Sequence, residues 1–389
     1  MYPAGQVPAH DGGGTTAEFT AFLRCNFHDL GQSRYRGKVK ILITGNLGYV
    51  GPGVARELRR TRPDAWIAGV DPGYFAHCLT GVDASPEHLL HAQYFMDLRD
   101  LPDHVIDGTD VIINLAAISN DPIGNRFEDV TMEINHRAAV SLATRAKRLG
   151  VGRFVYASSC SIYGAADDAP RTEASTLGPL TAYARSKAAA ETDLADLADD
   201  GFTVTSLRFA TACGMSDRLR LDLVLNDFVA GALTSGKIDI LSDGTPWRPL
   251  IHVRDMARAI EWAIDRAPDN GGHALSINVG SDIWNYQVRE LADAVARILP
   301  GTEVAVNPDA PPDKRSYRVS FSQFAERAPN HQPLVGLDDA VSDLVDGLQR
   351  MAFGDPAFRT SQLMRLVALE SLREKGLLTD RLEWTTKPK

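Results

Sequence analysis

Four short runs of this 389-residue chain are apolar at almost every consecutive position: Val39-Lys40-Ile41-Leu42-Ile43, Ala65-Trp66-Ile67-Ala68-Gly69-Val70, Val111-Ile112-Ile113-Asn114-Leu115 and Phe154-Val155-Tyr156-Ala157. A strand with one wet face alternates apolar and polar side chains. A strand that does not alternate is covered on both faces, the situation of a parallel sheet with crossover helices above and below. The stretches between the runs, such as residues 130–149 and 181–197, have the length and pattern of crossover helices. The alternation predicts an α/β fold, a doubly wound parallel Rossmann sheet.

Past Cys213 the pattern loosens. Helices are expected over residues 221–233 and 286–299 with short strands between them, which reads as a smaller, mixed α/β substrate-binding lobe. The predicted division is an N-terminal extension at 1–37, a Rossmann domain at 38–212 and 237–280, the lobe at 213–236 and 281–345, and a C-terminal helical extension at 346–389. Terminal helices are expected over 340–351 and 358–375. The first 37 residues hold Gly12-Gly13-Gly14 and scattered prolines and read as an appended arm, with no basic start leading into an apolar run.

Composition narrows the function classes. With 44% hydrophobic and 23% charged residues the chain is that of an ordinary folded globule. Fifty acidic against 41 basic residues give a net charge of −9, the wrong sign for collecting nucleic acid or anionic lipid. No run approaches the roughly 20 apolar residues that span a bilayer, so neither nucleic acid nor membrane is an expected partner. Cys25, Cys78, Cys160 and Cys213 lie far apart without a CxxC pair. Neither a metal site nor a disulfide framework is predicted, and reduced thiols suit a cytoplasmic chain.

Immediately after the first run comes Thr44-Gly45-Asn46-Leu47-Gly48-Tyr49-Val50-Gly51, and then a helical segment. Strand, glycine turn and helix in this order form a dinucleotide cradle: the glycines allow the tight turn and close approach of the pyrophosphate, which faces the helix amino terminus. The second run ends at Asp71, placing a carboxylate where the adenosine ribose hydroxyls belong. That anion repels a 2′-phosphate, and residues 72–76 contain no Arg or Lys, so NAD is the expected cofactor. Gly45, Asn46, Leu47, Gly48, Tyr49, Gly51 and Asp71 are the cofactor-facing candidates. Asp97 and Leu98 close the third strand beside the adenine. Leu115, Ala116 and Ala117 close the fourth with side chains small enough to admit the nicotinamide ribose.

Tyr183 and Lys187 stand at i and i+4 on one face of a helix that Thr181 can cap. Upstream, Ser158-Ser159-Cys160-Ser161-Ile162-Tyr163-Gly164 ends the fifth strand, at the edge where ligands of open α/β sheets bind. With these motifs the chain resembles the extended short-chain dehydrogenase/reductases, the nucleotide-sugar epimerase and dehydratase family, over about residues 38–345. The resemblance implies that Tyr183 is the acid/base. It also implies that Lys187 lowers the phenol pKa and holds the ribose, and that Ser159 hydrogen-bonds the reacting oxygen. It makes Asn135 and Phe209 further cofactor-site residues.

A strand shows alternate side chains to alternate faces, so Ser159 and Ser161 share the substrate side and Cys160 turns away. The family's 4,6-dehydratases carry an Asp-Glu pair at Cys160 and Ser161, and neither acid is present here. What remains resembles the 4-epimerases, which need only oxidation and re-reduction at one carbon. The resemblance further implies a nucleoside-diphosphate sugar as substrate, with Ser119, Asn120, Ser161, Thr211, Arg248, Arg315 and Arg318 as its contacts; the loop after the fourth strand should overhang the sugar, with Asn120 or Asp121 as extra polar contacts. Relatives commonly have Asn at the position of Thr211, and Arg248 is the expected diphosphate clamp. The resemblance also implies a homodimer, through the helices at 130–149 and 181–197. A dehydratase or ketoreductase and a non-catalytic NAD-binding regulator are the rival readings.

Overall fold

The computed structural model describes residues 37–165, 169–307 and 316–385. The arm at 1–36 and Arg315 lie outside the described residues. The strands are β1 (Lys40–Thr44), β2 (Trp66–Asp71), β3 (Ala92–Phe95), β4 (Val111–Asn114), β5 (Arg153–Ser159) and β6 (Thr203–Phe209). They continue with β7 (Thr211–Cys213), β8 (Lys237–Ile240), β9 (Trp247–His252), β10 (Ala274–Val279), β11 (Asn285–Gln287) and β12 (Glu303–Val306).

Seven of them form a wholly parallel sheet in the order β10-β6-β5-β4-β1-β2-β3. The unbroken apolar runs follow from this arrangement. On β1, Ile41 and Ile43 enter the core on one side of the sheet while Leu42 enters the core on the other; on β4, Val111 and Ile113 oppose Ile112 in the same way. The first core is completed by helices α1 (Gly51–Thr61) and α6 (Val253–Asp265), through Val54, Leu58, Ile260 and Ile264. The second is completed by α3 (residues 128–148) and α4 (Ala182–Ala195), through Ala139, Leu142, Ala190 and Leu194. A π-helical segment, Glu133–Ala138, interrupts α3.

From β1 the chain winds outward to β2 and β3, then returns across β1 to β4 and winds the other way. The carboxyl ends of β1 and β4 therefore diverge, and a crevice opens between them. Over this edge lie a three-stranded sheet, β11-β9-β7, and a two-stranded parallel sheet, β12-β8. Helices α5 (Val224–Ser235), α7 (Val288–Ile298) and α8 (Leu337–Arg350) share a core with them. A short helix, α2 (Asp121–Arg126), precedes α3, and α9 (Arg365–Glu374) is the last helix.

Two local expectations change. The third strand stops at Phe95, and Asp97 instead caps a single turn, Leu98–Asp100, accepting from the Arg99 amide at 2.9 Å. The helix expected over 358–375 is broken: a turn at Phe358–Thr360 precedes α9, because the intervening residues pair with another segment, the Leu221 amide donating to the Leu363 carbonyl at 3.0 Å.

Candidate active site

The glycine turn is held by its backbone. The Gly45 amide donates to the Val70 carbonyl at 2.8 Å, and Gly45 has φ +75°, where a Cβ would lie 2.5 Å from the Ala116 nitrogen. Only glycine fits there without moving β1 against the loop after β4. Asp71 ends β2 beside this turn. Its Oδ2 accepts from the Leu47 amide at 3.1 Å and its Oδ1 from the Gly73 amide at 2.7 Å, so each oxygen keeps a second acceptor position. Burial pushes its carboxyl up to about 6, against the lowering effect of those two amides.

A cavity of about 1140 Å³ runs along the carboxyl edge of the sheet. That exceeds the roughly 300–1,000 Å³ of an ordinary small-ligand pocket and leaves room for a dinucleotide with a second ligand beside it. Its wall includes Gly45, Gly48, Tyr49, Asp71, Asp97, Leu98, Leu115, Ala116, Ala117 and Phe209. Lys187, Tyr183, Ser159 and Ser161 line it further along, as do Ser119, Asn120, Thr211 and Arg248. A carboxylate with open acceptor positions, a glycine backbone and an ammonium along one crevice fit the hydroxyls, pyrophosphate and second ribose of a dinucleotide.

Several candidates stand off the wall. Asn46 is buried beneath the turn, its amide nitrogen donating to Gln93 Oε1 at 2.6 Å, and Gly51 packs directly on Asn46. Leu47 reaches Asp71 through its amide. Asn135 spends its side chain on scaffolding. Its Oδ1 accepts from the Ile118 amide at 2.7 Å, and its Nδ2 donates to the Ile118 carbonyl at 2.9 Å and to Ser186 Oγ at 3.0 Å. It thereby ties the loop after β4 to α4. Arg318 lies over the Trp247 ring at 5.2 Å, outside the cavity wall.

Thr181 begins α4 by accepting from the Ala184 amide at 3.1 Å, and its hydroxyl donates to Asp121 Oδ1 at 2.7 Å. The i, i+4 spacing of α4 then presents Tyr183, Lys187 and Glu191 in one row. Lys187 Nζ donates to the Ala157 carbonyl at 2.7 Å and sits 4.6 Å over the Tyr156 ring and 5.9 Å from the Tyr183 ring centre. Burial draws its ammonium down to about 7, opposed by Glu191. Burial also pushes the Tyr183 phenol up to about 12; a hydrogen bond with Ser159 and the charge of Arg220 lower it, while Asp121 raises it.

The strand does not continue through the serines. β5 stops at Ser159, and Cys160–Tyr163 is a tight turn in which Ser159 Oγ accepts from the Ser161 amide at 3.2 Å. Cys160 nevertheless points away from the cavity, its thiol donating to the Arg208 carbonyl at 3.1 Å and its pKa raised by burial. Ser161 Oγ is buried without a hydrogen-bond partner among the described residues.

The sequence reading missed Asp222 and Arg220 on this wall. Asp121 and Asp222 both line the cavity, so carboxyls reach it although positions 160 and 161 carry none. Asp222 is paired with Arg220 at 2.9 Å and accepts from Asn120 Nδ2 at 2.7 Å, and Arg220 also donates to Ser119 Oγ at 2.8 Å. Tyr317 is buried against the same cavity. Nothing in the local pattern marks these residues, which come from loops far apart in the chain.

Residues 41–280 match the NAD dependent epimerase/dehydratase family. The chain belongs to that family. A dTDP-glucose 4,6-dehydratase of Streptomyces griseus is 26% identical over 319 residues, 79% of this chain and 91% of the relative. A UDP-glucose 4-epimerase of Bacillus subtilis is 26% identical over 289 residues, 68% of this chain and 83% of the relative. Among solved structures, MoeE5 in complex with UDP-glucose and NAD has a TM-score of 0.68 at 25% identity, covering 80% of this chain and 99% of that one. The family frame thus serves dehydratases and 4-epimerases alike. Its cofactor, NAD, agrees with the crevice and with the carboxylate at the end of β2.

Proposed function

We propose that the chain is an NAD-dependent nucleotide-sugar 4-epimerase, working in the cytoplasm as a homodimer on a nucleoside-diphosphate sugar. The observation that carries this reading is the end of β5. Beside Tyr183 it offers two hydroxyls, Ser159 and Ser161, where the family's 4,6-dehydratases place carboxyls past the serine.

NAD, when bound, accepts a hydride from the sugar carbon and returns it. Tyr183 takes the proton of the C4 hydroxyl and gives it back to the same oxygen, which Ser159 holds by a hydrogen bond. Burial pushes the Tyr183 phenol up to about 12, and its action as a base draws on what lowers it, the hydrogen bond with Ser159 and the charge of Arg220. The unpartnered Ser161 hydroxyl receives a sugar oxygen. Arg248 holds the diphosphate by its planar fork, with Thr211, Ser119 and Asn120 as polar contacts. The breadth of the cavity lets the keto sugar turn before the hydride returns.

A dehydratase is the second reading, and Asp121 favours it: this acid lines the cavity and acts electrostatically on the phenol. Mass separates the two. Purified protein is incubated with UDP-, GDP-, CDP- and dTDP-sugars, without added NAD, and followed by proton NMR and mass spectrometry. Epimerisation gives a new sugar of unchanged mass, and Tyr183→Phe is expected to lower the rate at least ~100-fold. Loss of one water from the product moves the assignment to the dehydratase. A need for stoichiometric NAD ends the epimerase reading.

A further inference from the structure

The chain past Phe358 lies outside the 41–280 family match, yet it closes part of the cavity. Arg359, Met364 and Arg365 stand on the wall. Arg365 opens α9 and is 1% exposed. Its guanidinium lies 4.5 Å over the Phe75 ring and faces the Cys78 thiol, and its Nη2 donates to the Arg218 carbonyl at 2.8 Å. Its Nη1 is buried and has no hydrogen-bond partner among the described residues.

The neighbouring cations are compensated: Arg218 pairs with Glu87 at 2.7 Å and Arg220 with Asp222 at 2.9 Å. Arg365 has no carboxylate at ion-pair distance among the described residues. Asp222, whose charge acts on Arg365, is already engaged by Arg220 at both oxygens and by Asn120 at one. Burial draws Arg365 down to about 10, and Arg220 adds to the effect while Cys78 and Asp222 oppose it. A buried guanidinium without a counter-ion is costly. A planar fork with a donor to spare is suited to phosphate oxygens.

We propose that Arg365 binds a phosphate group of a molecule held in the cavity, so that the C-terminal segment belongs to the binding site. The choice of ligand rests on the nucleotide-sugar reading above. Two molecules bring the same chemistry, the dinucleotide and the nucleotide sugar, each with its diphosphate.

The test is calorimetric titration of full-length wild type and Arg365→Met, with NAD+ and then with UDP at saturating NAD+. One of the two ligands is expected to lose affinity tenfold or more, and which one loses identifies the source of the phosphate. Equal affinities for both ligands in wild type and variant overturn the inference, whatever happens to the melting temperature of the protein alone; a purely structural arginine would move only the latter. If Arg365→Met does not fold, Arg365→Lys replaces it. That variant keeps the charge but loses the fork, and should weaken the same ligand threefold or more; unchanged binding again overturns the inference. Wild-type protein that takes up neither NAD+ nor UDP removes the functional reading and this inference together, whereas wild-type binding with an unaffected variant removes the inference alone.

Discussion

Tyr183 and Lys187 show one cause with two signs. Burial disfavours charge, so it raises a phenol and lowers an ammonium. Lys187 yields a pH prediction free of any substrate. Its folded pKa, about 7, lies below the 10.5 of a solvated lysine in the unfolded chain. Between those values the unfolded chain binds the extra proton, so stability rises with pH by at most about 1.4 kcal/mol per unit. The penalty is fully present below pH ~7 and is relieved as the pH climbs towards ~10.5. In urea unfolding at pH 7 and pH 9, wild type should therefore gain on Lys187→Met at the higher pH. A gap that stays constant, or moves the other way, would show that Lys187 stays charged in the fold. The pair and Ser159 were legible because helical spacing and a strand end are local features. Arg220 and Asp222 were not, since their importance comes only from which loops meet.

At the level of the element, α4 is the part on which the site depends. Thr181 is both the cap of this helix and a donor to Asp121, so it couples the catalytic helix to the loop after β4. Thr181→Ala should cost roughly 1 kcal/mol of unfolding free energy, the usual value of a lost cap, and should lower turnover as well. A variant as stable as wild type in denaturant would mean that the cap contributes nothing. Cys160 shows how a correct orientation can have a different cause. Alternation along a strand would turn it from the cavity, but the strand has ended, and the turn at Cys160–Tyr163 places the thiol against the Arg208 carbonyl instead. Asn135 was expected at the cofactor; it stands off the cavity wall, in the π-helical segment of α3, with its amide bonded to Ile118 and Ser186.

The whole molecule is closed by its C-terminal segment. Leu369, Leu378 and Leu382 join Tyr74, Ile118, Ile123, Phe127 and Ile134 in one buried cluster above the carboxyl edge of the sheet. Polar contacts reinforce it: Trp384 Nε1 donates to the Pro72 carbonyl at 2.6 Å, and Arg99 Nη1 to the Arg381 carbonyl at 3.0 Å. Both contacts fall next to residues that line the cavity at Asp71 and Asp97. Burying each leucine is worth roughly 1.5–3 kcal/mol. A chain truncated after residue 356 should therefore melt lower, bind a hydrophobic dye and release its dinucleotide on gel filtration. If the truncated chain keeps the wild-type melting curve and excludes the dye, the segment is an ornament and the cluster does not hold the site together.

Doubly covered strands, a glycine turn and an acid at the end of the second strand are short-range patterns, and each forces one backbone arrangement almost regardless of what surrounds it. They were enough to define the parallel sheet, the crevice at its switch point and the side chains on α4 and β5. What remained for the folded molecule to decide was which distant loops share the cavity: Asp222 and Arg220 from the segment after β7, Tyr317 from beyond β12, Arg365 from the last helix. Side chains separated by a hundred residues or more carry no periodicity that relates them. Their meeting is a property of packing.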